Sequence, residues 1–435
     1  MSRKLAVSAA LFALQAPASA DPVSVLFVGN SYTFARVDPV LSYNAANVRD
    51  LTRPQGPLNG GRDPALAFTT GAPFTNLSGT NSYPAGTINA ATGLPFESYS
   101  PHSQTNGWGG VAGIFKQLTV QAGLDYNVAL STRNAATLRG HMLNTANSNW
   151  DLRSNISSQT WGQVVLQEQS DEPLPSITVG GVALGSNFEN FNFYADLIED
   201  YVHNGAASSY RERDVIPGST NGTVRTIPAN PNARAATEVF LFQTWARPNL
   251  VNAPGATTIN PATGNASYNT AVPATSFYAD LGSMTRDLAS AYSRAATNAS
   301  SDGTGGFKAI ARVGEAFQLA VDSGVATRDM YAAGALSDGL IDLWFNDGTH
   351  ASAWGSYLSA LTLFGTLTQR DPSRFGGSEI AARDLGISAS EAVALQQVAA
   401  RQLGYPVPAP GTIALLSCAL LPLGAIRLRR RAPLA

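Results

Sequence analysis

The stretch Val23-Ser24-Val25-Leu26-Phe27-Val28-Gly29-Asn30-Ser31 decides the fold. Its first six residues are nearly all apolar, with no alternation between apolar and polar positions. A short run of that kind reads as a strand buried on both faces of a parallel sheet. Gly29 and Asn30 break the run and leave Ser31 at its carboxyl end. Open α/β sheets place their sites in that crevice.

Further strands are expected at Tyr126–Ser131, Trp161–Gln167, Glu238–Thr244 and Ala309–Val313. Helical patterns lie between and around them, over Pro39–Asn47, Val111–Ala122, Phe188–Val202, Tyr278–Asn298 and Gly314–Ser323. A last large helix starts near Ser352, and a smaller one covers Ala389–Leu403. Strands alternating with helices predict an α/β fold, a three-layer sandwich around a mainly parallel sheet. Asn-, Thr-, Gly- and Pro-rich stretches near 52–107, 211–235 and 247–275 read as loop insertions into one domain spanning 21–405.

Composition narrows the function classes. The 435 residues carry a formal net charge of -2, which offers no field for nucleic acid. The one cysteine, Cys418, lies in the C-terminal apolar segment, so the body of the chain is expected to hold neither a disulfide nor thiol chemistry.

The two ends read as addresses. Arg3 and Lys4, an apolar run from Leu5 to about Leu14, and Ala18-Ser19-Ala20 make a secretory signal peptide over residues 1–20. A signal peptidase is therefore an expected partner. At the other end Val407-Pro408-Ala409-Pro410 precedes an apolar segment, 411–426, and then Arg427-Leu428-Arg429-Arg430-Arg431. The arginines would hold that end on the cytoplasmic side. This tail, 406–435, resembles the PEP-CTERM sorting signal of Gram-negative bacteria, with Pro408-Ala409-Pro410 in place of Pro-Glu-Pro. The resemblance implies an exosortase-like processing partner and delivery to the periplasm, cell envelope or exterior. A plain C-terminal membrane anchor is the other reading.

Two short motifs carry chemistry. Ser31 at a sheet end can be a nucleophile if a base takes its proton. Asp347-Gly348-Thr349-His350 supplies a candidate base. An aspartate three residues before a histidine can hold the imidazole in one tautomer, although the same aspartate would also serve as a helix cap. Of the four histidines, His102 and His203 read as surface residues, and His141 has no assigned role. The chain has no Gly-x-Ser-x-Gly elbow, so the ordinary α/β-hydrolase layout is not expected. No cluster of His, Cys and Asp has metal-ligand spacing, so neither a metal nor another cofactor is expected.

Taken together, Gly29-Asn30-Ser31 and Asp347-x-x-His350 resemble blocks I and V of the SGNH (GDSL-like) hydrolases. Val25 to Tyr32, Val164 to Ser170, Gln243-Thr244-Trp245-Ala246 and Asp347 to His350 further resemble a bacterial envelope subgroup of that family. The resemblance implies Ser31, His350 and Asp347 as the catalytic set, with an oxyanion hole built from the Ser31 N–H, a block II N–H and a block III side chain. Block II falls on Asn134 or Ala135, with Gly109 or Gly110 as the alternative. Block III falls on Gln169, with Gln167 as the alternative, because a glutamine amide donates the bond that the family's asparagine makes.

Asn30, Gln167, Trp245 and Trp344 are candidates for a substrate groove, and the remaining tryptophans for the core. Glu168, Asp171 and Glu172 read as a solvated loop rather than a glycosidase carboxylate pair. The expected activity is hydrolysis of carboxylic esters, acetyl groups on polysaccharide among them. The alternative is a non-catalytic envelope or carbohydrate-binding protein on the same scaffold.

Overall fold

The computed structural model describes residues 21–35, 39–52, 108–144, 150–259 and 266–407. The expected signal peptide, nearly all of the 52–107 insertion with His102, and the tail from 408 onward with Cys418 lie outside the described residues. Among the described residues, no helix is long and apolar enough to cross a membrane.

The opening run forms β1, Val23–Gly29, and Val25 to Val28 are completely buried. It pairs in parallel on both edges. On one side lies β3, Tyr126–Thr132, in register from Val23 opposite Tyr126 to Gly29 opposite Thr132. On the other side lies β4, Gln163–Gln167. The sheet continues through β5, Glu238–Phe242, to β6, Ala309–Ala311, and a two-residue edge strand β2, Arg49–Asp50, flanks β3. The order is β6-β5-β4-β1-β3-β2, with all neighbours parallel. Without the edge strand this is the flavodoxin-like doubly wound order. In that order the chain switches sides at the first strand and opens a crevice beyond the carboxyl ends of the strands flanking the switch. Here those strands are β1 and β4.

Helices cover the sheet as the outer layers of a three-layer sandwich. In one group, α1 (Gly110–Gln121), α5 (Val313–Asp322), α6 (Ala353–Thr368) and α7 (Ala389–Gln402) pack through α6; in the other, α3 (Phe188–His203) packs on α2 (Leu138–Leu143) and α4 (Leu281–Ala299). α6 is buried almost all round, yet it contains several hydroxyls. Ser359, Thr362 and Thr366 satisfy them by donating to the carbonyls of Gly355, Leu358 and Thr362, one turn back.

Three local expectations need correction. Residues 39–47 form turns and a single 3-10 turn at Ala45–Asn47 instead of a helix. The 211–235 stretch closes a hairpin, with Ser208–Arg211 paired to Val224–Ile227. The 247–275 stretch contains another, with Ala256–Ile259 paired to Ala266–Asn269. Both pairs are short and, apart from the buried Ile227, exposed or half-buried where described, so they lack the apolar alternation by which a strand is read.

The junction from β5 to α5 is tight. A Cβ on Gly314 would lie 2.1 Å from the Thr244 carbonyl oxygen. Alanine ordinarily favours a helix over glycine by about 1 kcal/mol, but overpacking against unyielding backbone costs about 1–3 kcal/mol. Gly314→Ala should therefore lower the urea midpoint despite its better helix propensity. A raised midpoint would show that the strand and helix do not approach this closely.

Candidate active site

The site is built on the turn that ends β1. A Cβ at Gly29 would lie 2.4 Å from Thr33 Oγ1 and 2.5 Å from Gln167 Oε1, so any other residue would displace these two side chains. Gln167, fully buried at the end of β4, accepts from Asn30 N at 2.8 Å and from Thr33 Oγ1 at 2.9 Å. Asn30 caps the one-turn helix Ser31–Phe34 by accepting from Tyr32 N at 3.1 Å, and its Nδ2 donates to Ala136 O at 3.0 Å. Both residues were candidates for a substrate groove. They are instead buried braces beneath the Ser31 turn. Ser31 opens the one-turn helix, where a backbone N–H has no intrahelical acceptor.

Ser31, His350 and Asp347 come together from opposite ends of the chain. Ser31 Oγ and His350 Nε2 are 2.9 Å apart, and His350 Nδ1 lies 2.6 Å from Asp347 Oδ2. The other carboxylate oxygen, Oδ1, accepts from the N–H groups of Thr349 and His350, both at 2.9 Å. Burial alone would push the Asp347 carboxyl up. The adjacent His350 ring and these donors outweigh it and hold the group at about 2. The helix-cap reading of Asp347 does not describe α6, whose cap is Ser352, accepting from Gly355 N at 3.2 Å.

The block II alternatives separate. The N–H groups of Gly109 and Gly110 donate to Leu41 O and Val40 O and fasten the start of α1. The turn at Asn134 and Ala135 follows β3 directly, where Arg133 N donates to Gly29 O at 3.0 Å. Ala135 is exposed and has φ +55°, a left-handed conformation uncommon for alanine. The Asn30 contact to Ala136 holds this turn beside Ser31.

The block III alternatives separate as well. Gln167 is committed to the Ser31 turn, and its Nε2 donates to Glu168 O. Gln169 is half-buried; its Oε1 accepts from Asp171 N at 2.8 Å and Glu172 N at 3.2 Å. That anchors the amide while Nε2 keeps only a 3.5 Å contact to Ser170 Oγ. Glu168, Asp171 and Glu172 do not form a solvated loop. Glu168 is buried, accepts from Leu138 N at 2.9 Å and Gln169 N at 2.6 Å, and is pushed well above the usual carboxylate range by burial. Asp171 pairs with Arg247, and burial raises Glu172 to about 7.

Trp245 and Trp344, expected at the edge of a groove, are buried. Trp344 donates from Nε1 to Ala246 O at 2.9 Å. Trp245 lies between the rings of Tyr32 and Phe317.

One histidine departs from expectation, and another gains a role the sequence did not assign. His203 is buried, not superficial; its Nδ1 meets Glu199 and its Nε2 lies 2.6 Å from Thr237 O. His141 is completely buried, with Nε2 2.9 Å from Gly29 O and Nδ1 accepting from Trp150 Nε1 at 2.8 Å. Burial lowers it to about 4, so it stays neutral and donates to the last carbonyl of β1. No local sequence signal marked this role, because Gly29 lies more than a hundred residues away.

One grouping of carboxylates with metal-like proximity occurs among the described residues: Asp196 and Asp200 of α3 with Asp302, whose ligand atoms lie within 4.8 Å of one another. Its third member is distant in sequence, which is why spacing did not reveal it. Exposed acidic groups often cluster without an ion, and nothing assigns one here.

No family model and no curated protein matches the sequence. Two solved structures are similar over most of the chain. One is a DUF4886 family protein from Bacteroides uniformis, 14% identical, with a TM-score of 0.42, covering 91% of this chain and 99% of that one. The other, from Slackia heliotrinireducens, is provisionally described as an SGNH hydrolase; it is 13% identical, with a TM-score of 0.34, and covers 80% of this chain and 100% of that one.

The acidic grouping gives a pH test. Burial first, then the neighbouring Asp302, Asp200 and Glu199, raise Asp196 from 3.8 to about 7. The folded state thus binds more protons than the unfolded state across that window, so this group's contribution is lost as pH rises through it. Asp196→Asn should stabilise the protein more at about pH 8 than at about pH 4. Urea unfolding at the two pH values checks this, and an equal effect at both would refute it.

Proposed function

We propose that this chain is a serine hydrolase acting on carboxylic esters. The observation that carries the reading is the continuous line from Asp347 Oδ2 through the His350 ring to Ser31 Oγ, with bonds of 2.6 and 2.9 Å. In such an arrangement the aspartate fixes the tautomer with hydrogen on Nδ1 and stabilises the imidazolium that forms. His350 Nε2 takes the Ser31 proton as Oγ bonds to the ester carbonyl carbon. The resulting oxyanion is received by the Ser31 N–H, the turn amides at Asn134 and Ala135, and Gln169 Nε2. Collapse breaks the bond to the alcohol oxygen, which takes the proton from His350. Water then attacks the acyl-enzyme with His350 as base, releasing the acid and returning the proton to Ser31.

Short acyl esters are the substrate class we favour, acetyl groups on polysaccharide among them. The support is the resemblance to the SGNH hydrolases together with the two termini. Residues 1–20 and 406–435 support export, with signal peptidase and an exosortase-like enzyme as processing partners and the cell envelope as destination. No cofactor takes part in this scheme.

Purified protein should hydrolyse p-nitrophenyl acetate and react with a fluorophosphonate at Ser31. Ser31→Ala should abolish both, and Asp347→Asn should lower kcat by about 10⁴-fold. Absence of turnover and of labelling in the wild type would sink the proposal.

The two glutamines should part company. Gln169→Ala removes a donor used in the transition state, so kcat should fall by about 10²–10³ with little change in KM. Gln167→Ala leaves the Asn30 N–H and the Thr33 hydroxyl without their acceptor, at about 1–3 kcal/mol each. Its signature should be a lowered melting temperature. Reversed signatures would show that Gln167 carries the oxyanion contact.

A further inference from the structure

The Asp347–His350 pair cannot by itself set the distance from the base to the nucleophile. The contacts described above for the Asp347 carboxylate, to Thr349 N, His350 N and His350 Nδ1, are all internal to the segment 347–350. The carbonyl of His350 accepts from Phe345 N, a further local bond. Such a segment can hold its own shape and still shift as a unit against Ser31. A shift of about 1 Å can cost about 10²-fold in rate, so bonds to other elements must locate it.

Four such bonds reach the segment and its neighbour Asn346, through three backbone oxygens. Tyr268 Oη donates to Asn346 O, and Asn249 N donates to Gly348 O at 3.2 Å. The third oxygen, Thr349 O, receives two donors: Tyr32 Oη at 2.7 Å and Trp245 Nε1 at 3.0 Å. A carbonyl oxygen has two lone pairs, so this acceptor is filled. It belongs to the residue directly before the base.

Of these donors, only Tyr32 stands on the nucleophile's own turn, as the residue after Ser31. Its backbone N–H is tied to Asn30 Oδ1 and its hydroxyl to Thr349, so the ring spans from one reacting side chain's support to the other's. The ring itself has little freedom. It stacks on Trp245 with centroids 4.0 Å apart and planes 3° apart, and Trp245 stacks on Phe317 of α5 at 4.9 Å and 4°. Tyr32 also meets the His350 ring edge-on at 5.7 Å.

We propose that Tyr32 and Trp245 are positioning residues that set the Ser31–His350 distance through the Thr349 carbonyl. Burial pushes the Tyr32 hydroxyl far above the usual phenol range, which keeps it a donor at all working pH values. The inference rests on the hydrolase reading of the same site, and the test separates the two.

Tyr32→Phe keeps the stacked ring and deletes one hydroxyl. Folded Tyr32→Phe should show a kcat lower by about 10-fold with KM unchanged, and slower fluorophosphonate labelling of Ser31 by a similar factor. In proton NMR, the His350 Nδ1–H resonance should persist, because its bond to Asp347 is internal to the segment. The Nε2 environment should shift as it does in Ser31→Ala. Trp245→Phe removes the other donor while keeping an aromatic ring, and should give the same pattern if Tyr32→Phe does not fold. Wild-type kcat and labelling in a folded variant would overturn the proposal. If wild-type Ser31 is neither labelled nor active, the hydrolase reading fails. The clamp is then judged on the Nε2 resonance alone, and an unshifted signal in Tyr32→Phe overturns it.

Discussion

Gln167 Oε1 accepts two hydrogen bonds at once, from Asn30 N and from Thr33 Oγ1, and the geometry of the site depends on that oxygen. β1 and β4 are adjacent strands that deliver their carboxyl ends to the same crevice. The glutamine bridges those ends, so the chain leaving β1 turns at once into the helix that begins with Ser31. Any other residue at Gly29 would displace this oxygen, which lies 2.5 Å from where a Cβ would be. A buried amide with both ends engaged is costly to misplace, since any slip leaves the Asn30 N–H and the Thr33 hydroxyl unpaired in a dry interior.

Around this brace the polar groups are arranged in nested supports. Glu168, next on the strand, receives the first N–H of α2 and its neighbour's N–H, and so holds the segment after the Asn134–Ala135 turn. Asn30 holds the same turn through Ala136 O, and His141 returns from α2 to the Gly29 carbonyl. Arg247 donates to Ser170 Oγ at 3.0 Å and to Asn249 Oδ1 at 3.2 Å, joining the segment after β4 to the one contacting Gly348. Side chains that are themselves locked hold a constellation more sharply than loops alone can.

Gly348 shows how tightly the base segment is enclosed. It has φ +64°, and a Cβ there would lie 2.0 Å from Tyr331 Oη. The Asp-Gly-Thr-His motif therefore reflects two requirements at once. Aspartate and histidine supply the hydrogen-bonded pair beside Ser31, and glycine supplies a left-handed turn in a space with no room for a side chain.

The sequence by itself determined five of the six strands of the main sheet, all but the two-residue edge strand β2, together with the main helices and the two motifs, because each is written in a local pattern. A buried strand is a continuous apolar run, a helix is a periodic one, and Asp347 needs only three residues to reach His350. The hairpins at 208–227 and 256–269 were not legible, because short exposed pairs carry no apolar period. Tertiary structure alone decided which polar residues face the crevice and which hold it up. Gln167, Asn30 and Trp245 have the residue types of a binding groove, yet they are buried braces; Gln169, two positions along from Gln167, has its Oε1 anchored and only its Nε2 weakly engaged. Nothing local distinguishes these cases. The partners that bury Gln167, Asn30 and Trp245 lie about a hundred or more residues away, and only the sheet order brings them within hydrogen-bonding distance.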